Sequence, residues 1–122
     1  MSDSPLISII DDDESVRLAT ASLLRSEGYR TELFASAEDF LASDAARFAC
    51  VVSDIQMAGM SGIDLTGQLL ADDADARIIL MTARTEEDLH QRAGASGAVC
   101  LLNKPFAAEQ LLNCVERALT RG

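Results

Sequence analysis

Residues 50–62 read Cys50–Gly62, CVVSDIQMAGMSG. Three residues with strand preference, Cys50, Val51 and Val52, lead into Ser53–Asp54, and the chain then enters a loop holding Gly59 and Gly62. A carboxylate at the exit of a buried strand is poorly solvated on one side and reachable on the other. In α/β sheets that is where reactive groups are presented. An isolated Asp between strand and loop ordinarily does no more than start a turn. What sets Asp54 apart is company at the ends of other apolar runs: Asp11–Asp12–Asp13, Thr82 and Lys104.

Working outward, each of those groups closes a short strand. Leu6–Ile10 (LISII) is nearly all apolar, as a strand buried on both faces would be, and Asp11–Asp13 follow it at once. Glu14–Glu27 predicts a helix with Val16, Ala19, Thr20, Leu23 and Leu24 on one side, capped by Asp12 or Asp13 and stopped by Gly28. Arg30–Phe34 alternates charged and apolar residues, like an edge strand. Ser36 opens a short helix, with Asp39 as a capping-box variant and Phe40 and Leu41 inward. Cys50–Ser53 is the third strand, and a helix follows over 61–71, weakened by Gly67. Ile78–Thr82 is the fourth strand. The next helix, 85–95, is poor: Thr85 is its only obvious cap, Leu89 and Ala93 are its few buried candidates, and Gly94 lies inside it. Val99–Leu102 is the fifth strand, followed by a helix over 107–119 with Leu111, Leu112, Val115 and Leu119 as its stripe. Strict alternation of strand and helix implies a doubly wound, five-stranded parallel sheet with helices on both faces. The expected strand order is 2-1-3-4-5.

The chain has 122 residues, the length of one domain, with 48% hydrophobic and 25% charged residues. Against 10 Lys+Arg stand 20 Asp+Glu, a formal net charge of −10. Phosphate backbones and anionic membranes repel such a surface, so direct nucleic-acid binding is not expected. Cys50, Cys100 and Cys114 are widely spaced and set in apolar runs, which predicts buried free thiols in a reducing compartment. No signal peptide and no apolar run of membrane-spanning length is read, so a cytoplasmic location is expected. The single His90 is expected to face water from a charged helix.

In the predicted order, Asp11 and Asp12 leave a strand adjacent to the one that Asp54 leaves, at ~4.8 Å. Ionised carboxylates ~5 Å apart repel by ~3 kcal/mol at an effective dielectric of 20, so one should titrate high or the group should hold a cation. Oxygen-only ligands open to water suit Mg²⁺ better than Zn²⁺. Thr82 adds a hydroxyl and Lys104 a point cation. That set suits transfer of a phosphoryl group to a carboxylate.

The runs IIDDDESVR (9–17), SDIQMAGMSG (53–62), IILMTAR (78–84) and LLNKPF (101–106) resemble the receiver domain of two-component response regulators over almost the whole chain. SAEDFL (36–41) is similar to the FixJ-type branch. The resemblance implies a phosphoacceptor role for Asp54, with the phosphoryl group coming from a phosphohistidine of a sensor histidine kinase or phosphotransfer protein. It implies Asp12 as a direct Mg²⁺ ligand, Asp11 as a ligand through water, and the backbone carbonyl of Gln56 as another. Thr82 would be the switch hydroxyl, Lys104 the site lysine, Ala83 the small neighbour that leaves room, and Gln56 and Arg84 the positions that tune phosphate lifetime. A cis Lys104–Pro105 bond is implied as well. Output would run through the face of the fourth helix, fifth strand and fifth helix, by homodimerisation or through a DNA-binding effector domain outside this chain. Two departures stand out: Leu101 where the family carries Tyr or Phe, and Met57–Ala58 where it carries Met-Pro. Without Pro the loop gains a backbone donor and loses stiffness.

Other readings compete. Asp11-x-Asp13 after a first strand resembles the opening motif of haloacid-dehalogenase-type phosphatases, with Asp11 as nucleophile and Lys104 as lysine, but the later acidic pair and cap insertion are missing. A flavin-binding flavodoxin-like role is disfavoured by three carboxylates where a phosphate needs N–H donors. A degenerate receiver acting only as an interaction domain is the remaining alternative, prompted by Leu101.

Overall fold

A computed structural model describes residues 4–120. Its elements follow the predicted alternation: β1 (Leu6–Ile10), α1 (Glu14–Ser26), β2 (Arg30–Phe34), α2 (Ala37–Leu41), a 3-10 turn (Ala45–Arg47), β3 (Cys50–Asp54), α3 (Gly62–Asp72), β4 (Ile78–Thr82), α4 (Glu87–Ala95), β5 (Cys100–Asn103) and α5 (Ala108–Thr120). The strands form one all-parallel sheet in the order β2-β1-β3-β4-β5, with β2 at an edge.

Strand alternation divides the core in two. Ile7 and Ile9 of β1, Val52 of β3, Ile79 and Met81 of β4, and Cys100 and Leu102 of β5 pack beneath α1 and α5. Ile10, Val51, Ile78 and Leu80 face the other way, beneath α2, α3 and α4. Phe34, Phe40 and Phe48 meet at centroid separations of 5.4–5.9 Å on that second side. All three thiols are buried and free, and burial pushes Cys50 up to about 12. Ser8 is fully buried on the second side, and its hydroxyl has no hydrogen-bond partner.

Some local expectations shift. On α1 the buried residues are Thr20, Ala21 and Leu24; Ala19 is exposed, so the helix is rotated toward Ala21. Asp13 caps it, accepting a hydrogen bond from the N–H of Val16 at 3.3 Å. Helix α4 begins at Glu87, two residues beyond Thr85, so Thr85 is not its cap; Glu86 holds that position and makes no side-chain capping bond. His90 is half-buried rather than solvated, its Nε2 2.9 Å from the carbonyl oxygen of Arg84. Among the described residues no helix is long and apolar enough to cross a membrane.

Candidate functional site

The C-terminal ends of β1, β3, β4 and β5 bring the chemistry together. Asp11, directly after β1, is fully buried, and both of its carboxylate oxygens are engaged. Oδ1 accepts the N–H of Asp13 at 2.9 Å, and Oδ2 accepts from Lys104 Nζ at 2.9 Å. Its backbone carbonyl takes a further hydrogen bond, 2.7 Å, from Nη1 of Arg17 on α1. Asp12 is exposed; its Oδ2 accepts the N–H of Ala58 at 3.4 Å.

Asp54 is the last residue of β3 and only 6% exposed. Its Oδ1 is 3.2 Å from Lys104 Nζ, so one ammonium spans two carboxylates. Carboxylate oxygens of Asp11, Asp12 and Asp54 all lie within 4.8 Å of one another. Burial holds Asp54 above the usual carboxylate range; Lys104 opposes this, while Asp11 and Asp12 add to it. Burial alone would lower Lys104, but its hydrogen bond to Asp11 and the charge of Asp54 outweigh that and leave it raised. The cluster thus carries more negative charge than its single lysine offsets. An all-oxygen donor set of that kind fits a hard divalent cation.

Two backbone features set these side chains. Gly62 opens α3 where the chain folds back on β3, its N–H donating to Ile55 O at 3.0 Å, and a Cβ there would overlap the Asp54 carbonyl. Lys104 follows β5 through a backbone bond from its N–H to Thr82 O, 2.7 Å, and the Lys104–Pro105 peptide is cis, as the resemblance implied.

Thr82, fully buried at the end of β4, is turned elsewhere. Its hydroxyl donates to Gln56 Oε1 at 2.8 Å and accepts the Arg84 N–H at 3.0 Å. Gln56, half-buried just past β3, lines a cleft of about 490 Å³ with Asp12, Met57, Ser61, Arg84 and Arg92. The expected carboxylates and lysine therefore meet, whereas the threonine hydroxyl engages Gln56. Leu101 is half-buried and packs on the second core.

Sequence reasoning missed Glu38. From α2 its Oε2 accepts the Met60 N–H at 2.9 Å, which holds the Glu38 carboxyl below its usual range. In the sequence Glu38 is only an acid in the first turn of a capped helix, which satisfies local rules without any loop contact.

The family model for the response regulator receiver domain matches residues 7–116. The C4-dicarboxylate transport transcriptional regulatory protein DctD of Rhizobium meliloti is 40% identical over 119 residues, covering 97% of this chain and 26% of that protein. The transcriptional regulatory protein FixJ of Bradyrhizobium diazoefficiens is 38% identical over 117 residues, 95% of this chain and 57% of that protein. The chain thus spans between about a quarter and somewhat over half of these relatives. The solved FixJ-N structure superposes with a TM-score of 0.88 at 31% identity, covering 100% of this chain and 98% of that one. The BeF3-activated receiver domain of DrrB, a Thermotoga maritima protein, gives 0.87 at 28% identity, covering 97% and 99%.

Proposed function

The chain belongs to the response regulator receiver domain family, on its FixJ-type branch, and from that membership we propose that Asp54 is its phosphoacceptor. The observation that carries the proposal is the sharing of Lys104 Nζ between Asp11 and Asp54 beside a third carboxylate. An oxygen of Asp54 attacks the phosphorus of a phosphohistidine on a sensor kinase or phosphotransfer protein. The new P–O bond forms as the P–N bond breaks, and the imidazole nitrogen leaves with the electron pair. Lys104, 3.2 Å from Asp54 Oδ1, would pair with the incoming phosphoryl oxygens. Asp11, Asp12, Asp54 and the backbone carbonyl of Gln56 would hold Mg²⁺, which when bound offsets charge on those oxygens. Thr82 then exchanges Gln56 for a phosphoryl oxygen, and the change passes to the α4–β5–α5 face.

The domain is a signalling module of a two-component system rather than an enzyme with turnover of its own. Acting in the cytoplasm, it would deliver output through a homodimer or through an effector domain elsewhere in a longer regulator. The phosphatase alternative is not favoured: the family model that matches is the receiver domain's, and Asp13 caps α1.

The test is direct. With Mg²⁺ and acetyl phosphate, intact mass should rise by one phosphoryl group in the wild type and in Asp13→Asn, and not in Asp54→Asn. Labelling that persists in Asp54→Asn and maps to Asp11 would overturn the assignment.

A further inference from the structure

The loop from Ile55 to Ser61 joins Asp54 to α3 and carries Gln56. It is held from two sides. On one, the Ala58 N–H reaches Asp12 Oδ2 at 3.4 Å, a long bond to an exposed acid. On the other, the Met60 N–H donates to Glu38 Oε2 at 2.9 Å, across 22 residues of sequence. Glu38 is exposed as well, but the helix that carries it is anchored by Ala37 and Phe40, both fully buried, and by the Ser36 cap.

Gly59 shows how closely the two parts fit. Its φ is +81°, the left-handed region that favours glycine, and a Cβ built there would come within 2.5 Å of the Glu38 Oε2. The carboxylate thus occupies the space a side chain at position 59 would need. A glutamate serving only the α2 dipole would need neither that vacancy nor the Met60 bond. With Ala58 in place of a φ-locking proline, the loop has no stiffness of its own at that position.

We infer that Glu38 is a positioning residue for the metal side of the site: it clamps Gly59–Met60 and so sets where Gln56 stands relative to Asp12 and Asp54. The inference rests on the receiver reading above. The clamp is a charge-assisted hydrogen bond from a backbone N–H to a carboxylate, stronger than a neutral one.

The experiment follows two readouts in wild type, Glu38→Gln and Glu38→Ala. One is amide exchange at Met60 without metal; the other is the MgCl₂ concentration that half-saturates the rise in thermal midpoint. Losing one such bond should change each by about 3- to 10-fold in Glu38→Ala. Glu38→Gln keeps an acceptor oxygen and should recover most of both. Glu38→Asp, which keeps the charge but shortens the reach to the Met60 N–H, should resemble Glu38→Ala and serves if that variant does not fold. A wild type whose midpoint ignores Mg²⁺ would overturn the metal site and this inference with it. A responsive wild type with unchanged half-saturation in Glu38→Ala or Glu38→Asp would overturn the inference alone. So would a glutamine variant no better than alanine.

Discussion

The hydroxyl of Thr82 points its proton at Gln56 Oε1, 2.8 Å away, while Asp54 is held by Lys104. A side chain already hydrogen-bonded must give up that bond before it can turn to a new acceptor, at a cost of about 1 kcal/mol. Gln56→Ala removes the competitor. The variant should bind beryllofluoride with Mg²⁺ about 3- to 5-fold more tightly than wild type, by titration calorimetry. Equal or weaker binding would mean that Gln56 does not hold Thr82 back.

Asp54 also loads the fold. Its folded pKa lies above the ordinary value of 3.8, chiefly through burial. A raised carboxylate favours folding when protonated, so the penalty is complete above the folded pKa and disappears as pH falls toward 3.8. Without Mg²⁺ at pH 7, Asp54→Asn should melt a few degrees higher than wild type. That gap should close as pH drops through the window between the two values. A gap that is constant with pH would point to packing instead.

Ser8 offers a control far from the chemistry. Its hydroxyl is fully buried without a partner, on the face shared with Val51 and Ile10. Ser8→Ala should therefore stabilise by about 1 kcal/mol, read as a rise of roughly 3–6 °C in melting temperature. A loss of stability would reveal a partner for the hydroxyl.

The weakness of α4 has its own signature. The helix lacks a side-chain cap, contains Gly94, and fully buries only Ala93 among its residues. Such an element opens at low free energy. Hydrogen exchange over Glu87–Ala95 should be faster than over α5 in the free protein, and should slow several-fold with beryllofluoride and Mg²⁺. Equal protection with and without the mimic would leave α4 out of the response and turn attention to the loop after Asp54.

The fold was legible because its strands announce themselves. LISII and IILMT leave no polar face, so only a sheet covered on both sides can hold them. The acidic cluster was legible too, since strand order brings Asp11 beside Asp54 whatever the side chains do. What stayed hidden depends on side-chain direction. Nothing in the letters says that Thr82 will choose Gln56, that His90 will reach back to Arg84, or that Glu38 will meet Met60. The rotation of α1 was equally silent, because Ala19 and Ala21 look alike until one is covered. Thr85 misled because a capping residue is recognised by where the helix starts, and weak periodicity leaves that start undefined.

The divided core has a consequence for how a signal could be read. Helix α5 rests on the first core, through Leu111, Cys114, Val115 and Ala118, whereas α4 rests on the second through Ala93. Strand β5 runs between them, sending Cys100 and Leu102 to one and Leu101 to the other. The α4–β5–α5 surface is therefore a seam where two separately packed bodies come to light side by side. If output runs through this face as proposed, a partner seated across it would gauge an offset, like a vernier: α5 the fixed scale, α4 the slide, and Leu101 the mark between them.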